Sequence, residues 1–250
     1  MTLRNIAKAV VPRAVYPSAL LRRMAQRATR NTVMSGPFAG MRYLDASISG
    51  AYIPKLIGCY ELEVHPFVER LISLRPSHVI NIGGGEGYYS VGLLLRLPDS
   101  RVTVFEQLDS GRAAIHELAR LNFVSRRLLV RGNCDPVALA RCLCQTPAEA
   151  LVADVEGYEV QLLDPERVPA LERLHILVEV HDSIAPGCTD QIIKRFSKTH
   201  LIERVAQRPR VISDYPLRDL ASRIFPSMVL RYALNEFRSP QTAWLQLSPF

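Results

Sequence analysis

Short apolar runs alternate with helical segments through most of the chain. Runs rich in aliphatic and β-branched residues are predicted as strands: 78–82, 101–105, 127–130, 150–153, 175–180, 201–206 and 242–247. Segments with apolar residues at helical spacing fall between them: 89–97, 111–121, 136–144, 158–163 and 190–197. Strands that alternate with helices of this length form a parallel sheet with right-handed crossovers. We therefore predict an α/β, Rossmann-like fold with a mostly parallel seven-stranded sheet and helices on both faces.

The first 60 residues lack this alternation and are predicted to form a helical extension. Residues 18–30 place Leu21, Met24 and Ala28 on one face of a helix and arginines on the other.

The main domain is predicted to span residues 61–250 and to begin with a helix over 61–74. Residues 207–240 contain Pro209, Pro216 and Pro226 before the final Pro240 and are too long for a simple connection. Long insertions in compact domains are usually functional, so we interpret this stretch as a lid or substrate insertion.

The first predicted strand of the main domain runs into a glycine cluster that opens a helix. The residues of this loop are Asn81, Ile82, Gly83, Gly84, Gly85, Glu86, Gly87 and Tyr88. Glycine is needed where the backbone turns with positive φ or where a ligand lies against bare main chain. Ligands of open α/β sheets bind at the carboxyl ends of the strands, although a glycine run is also compatible with an ordinary tight turn.

A carboxylate stands at the end of the second predicted strand. Glu106 follows an apolar run and lies 19 residues beyond Gly87. A carboxylate at this offset can accept hydrogen bonds from both ribose hydroxyls of an adenosine. The glycine loop and Glu106 together predict a site for an adenosine-containing cofactor.

The spacing of the glycines favours S-adenosylmethionine (SAM) over a dinucleotide. A dinucleotide loop reads G-x-G-x-x-G/A, with a small third residue where the helix packs against the strand. Counted from Gly83, that third position holds Tyr88, and the loop reads G-x-G-x-G after the polar Asn81. A bulky side chain there leaves little room for a pyrophosphate. We expect SAM, and an NAD-dependent oxidoreductase is the first alternative.

Acidic residues and a histidine follow the fourth and fifth predicted strands. Asp154 and Glu156 come after the fourth strand, and Glu179, His181 and Asp182 come at the end of the fifth. Because the carboxyl ends of parallel strands meet at one edge of a sheet, these side chains can converge on the methyl-donor sulfur. Acidic residues are also favoured at a helix N-terminus by the backbone dipole, which would explain the first pair without any function.

These segments resemble the FkbM-type family of class I SAM-dependent methyltransferases. The family's glycine loop, D-x-G-A-N-x-G-x-x-S, is similar to residues 81–90, and its F-E strand end is similar to residues 105–106. A helix that closes on Asn corresponds to residues 121–122. The family's D-x-E-G-x-E segment corresponds to residues 154–159, and its E-x-H to residues 179–181.

The resemblance implies a class I methyltransferase fold, SAM as cofactor, and a hydroxyl acceptor on a sugar, glycan or secondary metabolite. The cofactor-binding residues are then Asn81, Gly83, Gly85, Glu86, Gly87, Tyr88, Glu106, Asn133 and Asp154. Asn133 would lie near the adenine and Asp154 near the methionine end. The loop departs from the family at Asn81, where the usual Asp is replaced by an uncharged side chain, and at residues 84–86.

Methylation of a hydroxyl also requires removal of its proton. His181 is the candidate general base because the pKa of histidine lies near neutrality, and Asp154 is assigned to the same catalytic group. A structural histidine hydrogen-bonded at a strand end would explain His181 equally well. A divalent cation such as Mg²⁺ could instead lower the pKa of the acceptor, with Asp154, Glu179 and Asp182 as oxygen ligands.

Basic residues are concentrated near the N-terminus. The net charge is +7, and eight Lys or Arg residues precede Asp45, the first acidic residue. Such an arm favours peripheral contact with an anionic surface, and it also resembles an organelle transit peptide. A solvated helix face explains the same charges. Few aromatic residues lie among these arginines, so we do not expect a nucleic acid as a partner. A nucleic-acid-binding protein whose working part is the basic arm is kept as the second alternative to the methyltransferase.

The remaining composition favours a cytoplasmic protein. No apolar run approaches the roughly 18 residues that a membrane span requires. The five cysteines are scattered without a C-x-x-C pair, which argues against disulfides and structural zinc. The expected partner is a small-molecule or glycan acceptor. A non-catalytic SAM-binding protein is the third alternative to the methyltransferase.

Overall fold

The computed structural model describes residues 17–48, 50–215, 227–236, 238–239 and 242–250. They divide into two compact units. The first contains the described residues of Met1–Tyr60 and Pro209–Phe237, and the second those of Glu61–Arg208 and Arg238–Phe250. Part of the basic arm (1–16) and part of the predicted lid (216–226, 237 and 240) lie outside the described residues, as do residues 49 and 241.

The second unit is built on a seven-stranded sheet. The strands are β1 His78–Ile82, β2 Arg101–Phe105, β3 Leu128–Arg131, β4 Ala150–Ala153, β5 His175–His181, β6 His200–Ala206 and β7 Thr242–Pro249. Their order in the sheet is β3-β2-β1-β4-β5-β7-β6. Strands β1 to β5 pair in parallel, and β7 is antiparallel to both of its neighbours. This topology confirms the predicted mostly parallel, Rossmann-like sheet.

Burial explains why the central strands are so apolar. All residues of β1 and β4 are buried, as are six of the seven residues of β5. A parallel strand covered by helices on both faces reads as a continuous apolar run, and side chains from Ile82, Leu151, Val178 and Phe196 join one hydrophobic cluster. Its burial supplies the main driving force for folding this unit.

The first helix of the second unit precedes β1, and the others lie between strands, as the periodicity predicts. The helices are α3 His65–Ser73, α4 Tyr88–Arg96, α5 Asp109–Leu121, α6 Pro136–Gln145, α7 Glu159–Leu162 and α8 Cys188–Phe196. A 3-10 turn at Leu62–Val64 precedes α3. Helix α6 begins with a side-chain cap, because Asp135 accepts a hydrogen bond from the backbone N–H of Ala138 at 2.7 Å.

The register of the central strands aligns three strand ends. Ile82 lies opposite Phe105 of β2 and opposite Ala153 of β4. The residues that follow, Gly83, Glu106 and Asp154, therefore leave the sheet at the same edge. The sheet order reverses at this point, since β2 and β3 lie on one side of β1 and β4 lies on the other. Crevices at such reversals are where open α/β sheets bind ligands.

The first unit is helical. It contains α1 Pro17–Thr29, α2 Tyr52–Ile57, a 3-10 turn at Ile212–Asp214 and α9 Ser227–Leu234. Leu21 and Ala25 of α1 are buried, whereas Arg23 and Arg27 are exposed. The predicted apolar face was wrong at Ala28, which is exposed.

Two helices of the first unit were not predicted. Helix α2 is only six residues long and contains Pro54, and α9 lies inside the stretch interpreted as an insertion. Among the described residues, no helix combines the length and the apolar character that a membrane crossing requires.

Candidate active site

The glycine loop after β1 contacts the carboxylate after β2. The backbone N–H groups of Gly83 and Gly84 donate hydrogen bonds to the Phe105 carbonyl at 3.0 and 3.1 Å. The Gly85 N–H donates to Oε2 of Glu106 at 2.8 Å, and the Leu108 N–H donates to Oε1 at 2.8 Å. A carboxylate has about four acceptor positions, so Glu106 keeps acceptor capacity for ribose hydroxyls.

Close packing around this loop requires glycine at two positions. Gly83 has φ +78°, and a Cβ there would overlap the backbone carbonyl oxygen of Asp154. Gly111, near the start of α5, packs against the Glu106 side chain, because a Cβ at Gly111 would lie 2.6 Å from its Cγ and 2.9 Å from its Cδ. The first glycine brings β4 close to the loop, and the second makes room for the carboxylate.

Asn81 presents a buried acceptor beneath the loop. Its side-chain Nδ2 donates to the Val152 carbonyl at 3.3 Å, and its Oδ1 is buried without a hydrogen-bond partner. Buried polar atoms are almost always paired in native structures, so Oδ1 has the environment of an atom that receives a donor from a ligand.

The other residues predicted to bind the cofactor lie around the same strand ends. Glu86 is buried in the loop, and Tyr88 is buried at the first position of α4. Gly87 caps that helix with φ +98°. Asn133 is exposed and lies two residues beyond the end of β3.

Four of the five side chains predicted to converge do meet. Nε2 of His181 lies 3.7 Å from Oδ1 of Asp154, 3.4 Å from Oε2 of Glu156 and 3.9 Å from Oε2 of Glu179. The register explains this meeting, because Ala153 pairs with Val178 and so places the residue after β4 level with Glu179.

Asp182 does not join them and differs from its predicted role as a metal ligand. Its carboxylate accepts hydrogen bonds from the backbone N–H of Thr189, at 3.2 Å, and from the Thr189 hydroxyl. These bonds commit Asp182 to the first turn of α8. The described residues whose donor atoms lie close enough to share one ion are instead Asp154, Glu156 and His181.

Glu159 orients His181 from the opposite side of the ring. Its Oε1 lies 2.7 Å from Nδ1 of His181 and accepts from the Gly157 N–H at 2.9 Å. Its Oε2 accepts from the thiol of Cys188 at 3.5 Å. The Glu159 side chain is fully buried. In the neutral imidazole, a carboxylate at Nδ1 favours the tautomer with the proton on Nδ1, which leaves the lone pair of Nε2 directed at the acidic group.

Glu61 and Arg238 extend the site, and sequence analysis missed both. Arg238 forms ion pairs with Glu61 and with Glu179, and Glu61 also accepts a hydrogen bond from the hydroxyl of Tyr89. Glu61 adopts a left-handed backbone conformation with φ +49°. No local pattern marks these residues, because 177 positions separate Glu61 from Arg238.

The crowded carboxylates shift one another's pKa values. Burial, followed by the negative charge of Glu61, raises the pKa of Asp154 to about 6 against the opposing effect of Arg238. Burial and the charge of Asp154 raise the pKa of Glu179 well above its usual range. In both carboxyl groups burial is the largest cause of the raised pKa, and the neighbouring carboxylates add to it.

The histidine and its buried partner shift in opposite directions. Burial alone would lower the pKa of His181, but the hydrogen bond to Glu159 and the nearby carboxylates outweigh it, so the pKa is raised. Burial alone would raise the pKa of Glu159, but the hydrogen bonds from His181 and from the Gly157 N–H lower it. Each partner thus stabilises the charged form of the other.

No family model and no curated protein matches the chain. Among solved structures, the chain is similar to the cofactor-bound protein Rv0187 from MTB, with a TM-score of 0.48, 11% identity, and coverage of 82% of this chain and 89% of that one. It is similar to precorrin-6y C5,15-methyltransferase from Geobacter metallireducens, with a TM-score of 0.46, 12% identity, and coverage of 74% and 88%. It is also similar to the O-methyltransferase from Bacillus cereus in complex with SAH, with a TM-score of 0.44, 13% identity, and coverage of 82% and 89%. The fold is defined by the strand order and direction of the sheet itself.

Proposed function

We propose that the chain is a SAM-dependent methyltransferase that methylates a hydroxyl oxygen. The single observation that carries the proposal is the hydrogen bond from the Gly85 N–H to Glu106 at 2.8 Å. It joins a glycine loop after β1 to a carboxylate after β2, next to the reversal of the sheet order. An adenosine bound there would lie against bare main chain and offer its ribose hydroxyls to Glu106.

The polar groups beyond the loop suit the methionine part of SAM. Oδ1 of Asn81 is a buried acceptor without a donor, and the ammonium group of SAM has N–H groups to donate. The acidic edge formed by Asp154, Glu156 and Glu179 favours a positive charge, and the sulfonium of SAM carries one. An uncharged adenosine ligand would have no positive charge to place beside these carboxylates.

The reaction would be an in-line displacement. SAM supplies an electrophilic methyl group on a sulfonium. The acceptor oxygen forms a bond to the methyl carbon as the carbon–sulfur bond breaks, and the electron pair of that bond stays on sulfur. The hydroxyl proton passes to Nε2 of His181, whose lone pair is directed into the site by Glu159. Positioning of the two reactants should supply much of the acceleration.

The acceptor class is proposed from the FkbM-type resemblance. The two segments that carry it, residues 154–159 and residues 179–181, meet in the fold through His181 and Glu159. We propose a hydroxyl on a sugar, glycan or secondary metabolite as the acceptor.

The experiment is a screen of hydroxylated sugars, glycans and small metabolites for SAM-dependent release of S-adenosylhomocysteine (SAH). We expect release that depends on one class of acceptor. His181→Ala should bind SAM as the unsubstituted protein does and release SAH more slowly, whereas Glu106→Ala should lose binding. Equal turnover in both variants would refute these roles. A rise of the melting temperature with NADH but not with SAM would support the oxidoreductase instead.

A further inference from the structure

Donor atoms of three residues converge at the acidic edge of the sheet. They are Oδ1 of Asp154, Oε2 of Glu156 and Nε2 of His181, and all lie within 4.8 Å of one another. Nitrogen and carboxylate ligands bind divalent transition metals at about 2.0–2.2 Å, so two ligands of one ion are separated by roughly twice that distance or less. The separations of Nε2 from the two carboxylate oxygens, 3.7 and 3.4 Å, fall within this range.

One of these donor atoms is buried and makes no hydrogen bond, and a second belongs to a buried histidine. Oδ1 of Asp154 is shielded from solvent without a partner. The His181 side chain is 7% exposed, and its one hydrogen bond is made by Nδ1. A buried acceptor left without a donor costs about 1–3 kcal/mol. Nε2 of His181 and Oδ1 of Asp154 lie 3.7 Å apart, so one cation between them would satisfy both.

The surroundings of the histidine are those of a metal ligand. A histidine that binds a metal through one ring nitrogen usually donates its other N–H to a carboxylate or carbonyl, which fixes the tautomer and the ring orientation. Glu159 provides that carboxylate at 2.7 Å from Nδ1, and the Gly157 N–H and the Cys188 thiol hold it in place.

The third donor is presented by a tight turn. Glu156 has φ +50° and Gly157 has φ +99°. The Glu156 side chain is 74% exposed, yet its Oε2 lies 3.4 Å from Nε2 of the buried histidine. The ion site would therefore have one buried ligand, His181, one partly buried ligand, Asp154, and one exposed ligand, Glu156, at the rim of the site.

We propose that Asp154, Glu156 and His181 bind a first-row divalent transition metal ion. One imidazole nitrogen and two carboxylate oxygens suit Mn²⁺, Fe²⁺ or Zn²⁺ better than Mg²⁺, which prefers oxygen ligands alone. Three protein ligands leave coordination positions open, as in catalytic metal sites.

The role of the ion rests on the proposed function, whereas its binding does not. An ion at this place would lower the pKa of an acceptor hydroxyl. Nε2 would then be a ligand, and the proton of the acceptor would leave to water rather than to the imidazole.

The test is calorimetric titration of the full chain, stripped with EDTA, with MnCl₂ and separately with ZnCl₂. We expect saturable binding of one ion per chain. Asp154→Asn, Glu156→Gln and His181→Ala should each weaken it by about tenfold or more. Asp190→Asn, which removes one exposed carboxylate from the first turn of α8, is the matched control and should bind as the unsubstituted protein does. Glu156→Gln is the ligand variant expected to keep the fold, since the Glu156 side chain is largely exposed.

Titration of the same samples with SAH separates this inference from the proposed function. Binding of SAH without saturable binding of either metal, or equal metal affinity in all four variants, would overturn the metal site alone. Metal binding that depends on the three residues, without binding of SAH, would support the metal site and overturn the proposed function.

Discussion

Gly85 and Glu106 are joined by a hydrogen bond of 2.8 Å between the backbone nitrogen of one and the carboxylate of the other. A second bond from the Leu108 N–H fixes the other carboxylate oxygen. The side chain that would hold a ribose is thus oriented before any ligand arrives, and such preorganisation reduces the entropic cost of binding.

The closeness of the glycine loop to β4 can be tested by adding a single methyl group. Gly83→Ala would place a Cβ against the Asp154 carbonyl at a positive φ, so we expect destabilisation of about 3 kcal/mol or more. For a chain of this size, that corresponds to a fall in melting temperature of roughly 6–12 °C. Thermal unfolding followed by circular dichroism measures it.

Gly132→Ala is the matched control for that substitution. A Cβ at exposed Gly132 meets nothing within 4 Å, so its stability should change by no more than about 0.5 kcal/mol. Similar melting temperatures for the two alanine variants would contradict the packing described for the loop.

Glu159 should act as a positioning residue for His181. Glu159→Gln keeps the shape of the side chain but removes the charge that supports the imidazole. Loss of such a partner typically costs about 10–100-fold in activity or metal affinity. We expect turnover to fall by that factor while the affinity for SAH changes less than about twofold. A parallel loss of SAH affinity would mean that Glu159 supports the fold of the whole site instead.

The buried ion pairs of Arg238 should be strongly coupled. Arg238→Ala would leave Glu61 and Glu179 buried without their cation, and breaking such a pair typically costs about 3–5 kcal/mol. Adding Glu179→Gln removes one of the stranded charges, so the double variant should lose less stability than the sum of the two single variants. Chemical denaturation of all four proteins gives the coupling energy. Strictly additive losses would show that the pair does not interact.

Thiol reactivity should separate the cysteines by burial. Burial, with a smaller effect of the Glu236 charge, raises the pKa of Cys59 to about 12, and burial raises the pKa of Cys134 to about 12. Cys144 is exposed. Because the thiolate is the reactive form, iodoacetamide at pH 8 should label Cys144 first and the two buried thiols only after unfolding. Mass spectrometry of native and unfolded samples checks this, and rapid native labelling of Cys59 would be the contrary outcome.

Most of the sheet was predictable because its strands are buried on both faces. Such strands must be apolar along their whole length, as β1 and β4 are, and this pattern is local in sequence. The meeting of Asp154 with His181 was also predictable, since parallel strands end at one edge. Arg238 was not, because its contact with Glu61 depends on tertiary packing between distant segments.

Asp182 shows the limit of the same reasoning. Its place after β5 suggested a metal ligand, but a side chain one residue beyond a strand can turn either way. The hydrogen bonds from Thr189 decide its direction. Glu156, which was not predicted as a metal ligand, lies 3.4 Å from Nε2 of His181, on a turn whose positive φ the sequence does not reveal for a residue other than glycine.

Isothermal titration calorimetry of the folded chain with SAH, and separately with NADH, tests the central claim most directly. We expect saturable binding of one SAH per chain and no binding of NADH. Glu106→Ala, which would remove the proposed acceptor for both ribose hydroxyls, should weaken SAH binding by about a hundredfold or more, since hydrogen bonds to a charged group contribute about 1.5–3 kcal/mol each. No heat with SAH on well-folded protein, or the same SAH affinity in Glu106→Ala, would contradict the account.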